Sequence, residues 1–225
     1  MTDRPSPKKA RGPYRNGLRR RREIVAAAAV VFGRYGYRAG SLRAIADLVG
    51  TTPATLVAYF TNKEGLLIAV LQHWREESDP ITVAFEGLDF IRAFVLLMRY
   101  HDAHRGLMEL FLTMSIEAAR EEHPAHEFMI ERQRHTKDTM IRCLKSAHAD
   151  GHIAPLSNDE LEEEARLLIA GLDGLELQWM LDPRLDLEAV VRRLIDASIA
   201  RWSDRPLAVV ATETDAWLSE HGQAR

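Results

Sequence analysis

Cysteine is almost absent: Cys143 stands alone in 225 residues. No intrachain disulfide can form, and the chain suits a reducing compartment, the cytoplasm. Long apolar runs are missing too. No stretch approaches the roughly 18 apolar residues that a membrane helix needs, so a membrane is not an expected partner. No β-alternation extends beyond a few residues, and no internal repeat appears. The sequence has no phosphate-cradling loop and no nucleophile–base arrangement, so neither catalysis nor a cofactor is expected. His101 and His104 are spaced i, i+3, as are His123 and His126, and both spacings could grip zinc. No cysteine or acid completes an evident site beside them, and no metal is expected.

What is present is the composition of a globular protein. Apolar residues make up 46% and charged residues 28%, enough to bury a core and too apolar for wholesale disorder. The length allows a small module plus one larger domain. Charge is unevenly placed. Residues 1–22 hold nine Lys or Arg against one acid, Asp3, a local +8 on a chain whose net charge is −3. A basic arm on an otherwise acidic protein points to a polyanion at that end. The same Arg19–Arg22 run precedes the apolar Ile24–Phe32, as in an export signal. Against export, the run is short, no small-residue cleavage site follows, and its apolar positions form one face of a longer helix.

Residues 1–17, with Pro5, Pro7, Gly12, Pro13 and Gly17, read as a flexible basic arm. A helix is expected from about Leu18 to Tyr35, with Gly36 placed to stop it. Ser41 is a good N-cap for a short helix carrying Leu42, Ile45, Ala46 and Val49 on one face, closed by Gly50. Thr52 can cap the next helix, with Pro53 at its first position, where the missing N–H costs nothing. Thr61 and Glu64 have capping-box spacing for a fourth helix, with Asn62 the alternative cap. After Trp74 the spans Phe85–His101, Arg105–Arg120, Glu127–Ala149, Glu160–Leu181 and Leu187–Trp202 all read as helices. Breaks are expected at Asp79–Pro80 and Asp182–Pro183, among others. The stretch after Pro206 reads as a tail in which Ala211–His221 could be helical. The fold class is therefore all-α with about nine helices.

Two short helices, Ser41–Val49 and Thr52–Tyr59, joined at Gly50, have the dimensions of a helix-turn-helix. The second would enter the major groove, which admits one helix and carries the full base code. Its outward positions are expected to be Thr51, Thr52, Pro53, Ala54, Thr55, Ala58 and Tyr59. Small residues there let the backbone approach DNA, while the Thr55 and Tyr59 hydroxyls can reach a phosphate or base edge. Ser41, Arg43 and Lys63 complete the expected DNA contacts, Lys63 beside the free N–H groups of the next helix. Arg11 and Arg15 on the arm could reach the neighbouring minor groove.

Residues Arg21–Leu71 resemble the DNA-binding domain of the TetR family of regulators. The resemblance rests on Phe32 followed by Gly36-Tyr37, Ser41-Leu42-Arg43 with Ile45-Ala46, the glycine turn, Thr55-Leu56 with Tyr59-Phe60, and Asn62-Lys63-Glu64. It implies that Thr55, Tyr59 and Lys63 contact DNA and that Arg43 contacts the backbone. Val57 departs from the family, where an aromatic is usual, and so do Ala58 and Pro53, where polar residues are common. Base readout is then expected to be thinner and more apolar, toward thymine methyls.

The remainder resembles the family's ligand-binding and dimerisation domain more loosely. Glu117-Ala118 with His123-Pro124-Ala125-His126, and Gly171–Pro183, resemble a branch frequent in actinobacteria. Leu161, Ala165, Leu168, Leu172, Leu175 and Trp179 alternate by four and three, and Leu187, Val191 and Leu194 continue the pattern. These residues are expected to form a dimer interface, with intramolecular core as the alternative. Phe94, Leu97, Met98, His101, Met108, Phe111, Met114, Phe128 and Met129 are candidates to line a small-molecule pocket. Glu117, Arg132 and His135 are its candidate polar residues, with surface or structural ion pairs as the alternative.

The expected organisation is a basic arm (1–17), a helix-turn-helix domain (18–62), a connecting helix (63–78), a ligand-binding and dimerisation domain (79–204) and a C-terminal tail (205–225). The expected partners are double-stranded operator DNA, a second copy of the chain and an apolar small-molecule effector. Because proteins of the resembling family mostly repress, a ligand-released repressor reading a palindrome is the expected function. Two rivals differ in what they do. A constitutive architectural DNA-binding protein lacks a pocket and shows weak sequence preference, and a helical enzyme or carrier ignores duplex DNA.

Overall fold

The computed structural model describes residues 13–222. Among these, ten α-helices occur and no strand. The chain divides between Val70 and Leu71 into two compact units.

The first unit begins with α1 (Pro13–Ala39), which starts five residues before the expected Leu18. Proline is tolerated in a first turn, and the following arginine run has good helix propensity, so Gly17 alone does not keep residues 13–17 out of the helix. Residues 13–17 are therefore helical rather than a flexible arm. Gly36, at φ 73° and ψ 163°, breaks the helix where a stop was expected. Ile24, Ala28 and Phe32 bury one face completely. Helix α1 packs on α2 (Leu42–Leu48), which buries Ile45 and Ala46, and α2 packs on α3 (Pro53–Phe60), which buries Leu56 and Phe60. Gly50 turns the chain at φ 63°, in the left-handed region that glycine adopts without steric cost.

Helix α4 (Lys63–Val83) starts in the first unit and ends in the second. Its cap is Asn62, whose Oδ1 accepts the Gly65 N–H at 2.8 Å; Thr61 lies at φ 71°. The expected break at Asp79–Pro80 does not occur, and the helix runs through Pro80 to Val83. An Arg75–Asp79 pair at 3.1 Å bridges the turn before the proline and helps hold it.

In the second unit α5 (Gly87–Ala103) is the central helix, packed against α7 (His126–Ala149) and α9 (Leu187–Ser203). Helix α6 (Arg105–Glu117) follows it, and α8 (Asn158–Leu181) lies against α7 and α9. A capping box starts α8: Ser157 Oγ accepts from the Glu160 N–H, and Glu160 accepts from the Ser157 N–H at 2.7 Å. The expected tail forms α10 (Leu207–His221), which buries Val210 and Trp217 and packs on α9.

The residues expected at a dimer interface are mostly covered within the single chain. Leu161, Ala165, Leu168, Leu172, Trp179, Leu187 and Val191 are buried inside one chain, and Leu175 and Leu194 are half-buried. A four-and-three spacing reports that a face is buried, not which copy buries it. A Cβ on Gly171 would lie 2.7 Å from Leu194, so this glycine permits the close approach of α8 to α9 within the chain.

Candidate DNA interface and interior cavities

Local capping sets the geometry of the first unit. Ser41 Oγ accepts the Ala44 N–H at 3.1 Å and starts α2. Thr52 Oγ1 accepts the Thr55 N–H at 3.3 Å and lies 3.1 Å from the Thr55 hydroxyl. Each such cap satisfies a helix-end donor and is worth about 1 kcal/mol. Arg20 reaches from α1 and donates to the carbonyls of Val49 (2.9 Å) and Gly50 (3.4 Å). That closes the turn between α2 and α3. Arg21 lies 5.1 Å from the centre of the Phe60 ring. Two arginines counted as free arm charge in the sequence thus hold the domain together.

The outward face of α3 is mostly apolar. Pro53, Ala54, Val57 and Ala58 are exposed, Val57 to 44%, and Tyr59 beside them to 39%. Ser41, Arg43 and Thr52 are also exposed, and Thr51 and Thr55 are half-exposed. Most of the expected contact residues therefore lie on the accessible side of α2 and α3. Val57 belongs with them. Leu56 and Phe60 point inward, and Val57 on the flank of their face stays 44% exposed. Lys63 is half-buried. Its ammonium donates to the Arg38 carbonyl at 3.1 Å and sits 4.6 Å from the Tyr37 ring centre. Burial lowers its pKa, partly offset by Glu64. Arg11 lies outside the described residues, and of Arg15 only the backbone, in the first turn of α1, is described.

Besides wider surface pockets along α7 and α8, the second unit has two small cavities, of about 40 and 50 Å³. Phe94, Leu97, Arg132 and Thr136 line both and so form the wall between them. The first adds Met98, His101, Asp173 and Glu176; the second adds Ser78, Asp79, Thr82 and His135. Of the twelve expected pocket residues, Phe94, Leu97, Met98, His101, Arg132 and His135 come together here, and buried Met129 lines neither cavity. Met108, Phe111 and Met114 are buried away from either lining. Their methionine and aromatic side chains fill helix–helix gaps. Glu117 stands 3.6 Å from His123 and, like half-buried Phe128, lines neither cavity.

Buried charge is concentrated at these cavities. His101 Nδ1 meets Glu176 Oε1 at 2.6 Å, and its ring stacks on Trp74 at 5.3 Å. Burial, reinforced by Glu176, pushes the Asp173 carboxyl up to about 6, against the pull of Arg132 and a hydrogen bond from Gln133. The Arg132 guanidinium stacks 4.2 Å from the Phe111 ring centre. Asp173 and Glu176 escaped the sequence reading. Their i, i+3 spacing on the α8 stretch otherwise read as an apolar seam was the available signal.

A capped pair of short helices with an exposed recognition face, followed by an all-helical second unit, defines a helix-turn-helix protein. Residues 24–70 match the model of the bacterial regulatory proteins of the tetR family. By that match residues 24–70 are a segment of the tetR-family type. Among solved structures it is similar to tylp, a tetR regulator from Streptomyces fradiae, at 25% identity and TM-score 0.62, over 91% of this chain and 98% of that one. It shares its fold with SmeT, the repressor of the Stenotrophomonas maltophilia multidrug efflux pump SmeDEF (22%, TM-score 0.60, covering 81% and 89%). The fatty acid degradation regulator FadR from Bacillus halodurans also has this fold (19%, TM-score 0.66, covering 79% and 97%). Over 119 residues the chain is 25% identical to a ribosomal RNA small subunit methyltransferase B from Cronobacter sakazakii. That match covers 52% of this chain and 27% of the methyltransferase, so the chain spans about a quarter of that enzyme's length. Among the described residues no single helix is long and apolar enough to cross a membrane.

Proposed function

We propose that the protein is a cytoplasmic, ligand-released repressor that binds a palindromic operator as a homodimer, and not an enzyme. The observation that carries the reading is the exposed face of α3, with Pro53, Ala54, Val57 and Ala58 accessible while Leu56 and Phe60 anchor the helix from within. In the major groove this face meets thymine methyls, and the Thr52, Thr55 and Tyr59 hydroxyls take phosphate or base-edge contacts. Ser41, Arg43 and Thr51 flank it, and Lys63 exchanges the Arg38 carbonyl for a phosphate. The basic segment with Arg11 and Arg15 supplies minor-groove contacts that compensate for thin base readout. Loss of residues 1–12 then weakens operator binding at fixed salt.

A second copy has a surface to occupy. Leu167, Ala170, Leu177 and Leu181 are exposed on one side of α8, and a Cβ on Gly174 would meet nothing within 4 Å. This outward stripe replaces the buried seam as the dimer surface. Two-fold pairing fits the reading of two half-sites about 34 Å apart. Release is a two-state coupling through α4. Its first turn follows α3, and Ser78, Asp79 and Thr82 near its other end line a cavity. A ligand that favours a different α4 position changes the half-site spacing, and a coupling of about 1–3 kcal/mol gives roughly 5- to 150-fold release. The test is selection of bound duplexes from a random pool, at salt that suppresses non-specific binding. An enriched inverted repeat supports the reading, and the absence of any motif contradicts it.

A further inference from the structure

Arg132 lines both cavities, and its hydrogen-bonding capacity is unused among the described residues. Its guanidinium carries five N–H donors in a rigid fork. Among the described residues no hydrogen bond or ion pair to it is found; it rests on the Phe111 ring at 4.2 Å and lines both cavities. The nearby acids are otherwise engaged. Glu176 takes His101 Nδ1 at 2.6 Å, Asp173 takes the Gln133 side chain, and Asp79 takes Arg75 Nε at 3.1 Å. Burial lowers the Arg132 pKa and exceeds the opposing fields of Asp173, Glu176 and Asp79. A second polar atom is unpartnered beside it. His101 is 3% exposed and lines the first cavity, and its Nε2 is buried without a partner. Arg132 is half-buried, whereas His101 Nε2 is fully buried, and a buried polar atom without a partner is uncommon and calls for a cause.

We propose that Arg132 is the anchor for a carboxylate on an otherwise apolar effector, the guanidinium taking both carboxylate oxygens and the apolar body displacing Phe94 and Leu97. A cationic effector is the competing chemistry, since three acids stand near. Glu176 and Asp79 already hold His101 and Arg75, so a cation would compete with existing bonds there, whereas a carboxylate meets the free guanidinium donors. A planar fork is also matched to two carboxylate oxygens. The body of such a ligand needs more room than the cavities of about 40 and 50 Å³ provide. Ligand sites usually hold about 300 Å³ or more. Arg132 is part of the wall between the cavities, so swinging it onto a carboxylate also joins them. The inference rests on the ligand-released reading only for its regulatory meaning.

Calorimetric titration of the full chain, without DNA, with decanoate, decanol and decylamine at pH 7.5 tests it. Decanoate is expected to bind at least tenfold tighter than either partner, and Arg132→Met to remove that preference. Arg132→Lys, which keeps the charge and loses the fork, is expected to retain part of it. Circular dichroism checks that each variant is folded. If Arg132→Met does not fold, the wild-type ranking and Arg132→Lys still decide. Equal or tighter binding of decylamine or decanol, no binding of any probe, or an unchanged decanoate preference in Arg132→Met would each overturn the assignment. Decanoate binding without operator release leaves the anchor standing and counts against the ligand-released reading alone.

Discussion

Arg20 Nη2 lies 2.9 Å from the carbonyl oxygen of Val49, tying the first helix to the turn of the helix-turn-helix across 29 residues of chain. This bond and the longer one to Gly50 satisfy acceptors at the end of α2. Arg20→Ala is expected to destabilise the first unit by about 1–2 kcal/mol. Arg20→Lys should recover only part, because an ammonium does not reproduce the guanidinium fork. Urea denaturation followed by circular dichroism measures both. No loss in Arg20→Ala would mean that the turn stands without it.

Lys63 has two possible acceptors in turn, the Arg38 carbonyl in the structure and a DNA phosphate in the proposed complex. Lys63→Met should weaken operator binding and reduce the salt slope of log affinity by about one, the signature of one lost phosphate contact. Affinity measured across a salt series reads this directly. A weaker complex with an unchanged slope would place Lys63 in domain stability alone.

Asp173 gives the second unit a pH-dependent cost. Its folded pKa of about 6 lies above the ordinary aspartate value of 3.8. Between those values the folded state binds the proton and the unfolded state does not, so this group's contribution to stability falls as pH rises from about 4 to 6. The penalty is fully present above pH 6, on the order of 1–3 kcal/mol. Asp173→Asn should therefore raise the melting temperature at pH 8 and leave it nearly unchanged near pH 3.5. An equal shift at both pH values would assign the effect to packing.

The proposed dimer surface separates two kinds of leucine. Leu177→Glu changes an exposed side chain on α8 and is expected to give monomers by sedimentation equilibrium with little loss of chain stability. Leu172→Ala removes a buried one and should cost about 2–5 kcal/mol. If Leu177→Glu leaves a dimer, the second copy sits elsewhere.

The helix-turn-helix was legible because its signals are local. Ser41, Thr52 and Pro53 act as caps through atoms three residues away, and Gly50 acts through its own φ. What was not legible is what depends on distant residues. Arg20 looked like arm charge until Val49 stood beside it. The α8 spacing reported burial of Leu161, Leu168 and Leu172 but not that α7 and α9 supply the cover. Arg132 was suspect as a charge in an apolar helix. Asp173 and Glu176 were absorbed into the same apolar pattern, since periodicity weighs leucines and ignores acids between them. Pro80 read as a break because proline usually ends a helix interior, and here Arg75–Asp79 bridges the preceding turn.

The central claim is that the outward face of α3 reads operator bases. Random-duplex selection run in parallel on the wild-type chain and on Val57→Gln tests it. The account predicts an inverted repeat for the wild type, and for the variant the same repeat with an altered base at one symmetric position in each half-site. Identical motifs from both proteins, or no motif from the wild type, would contradict it.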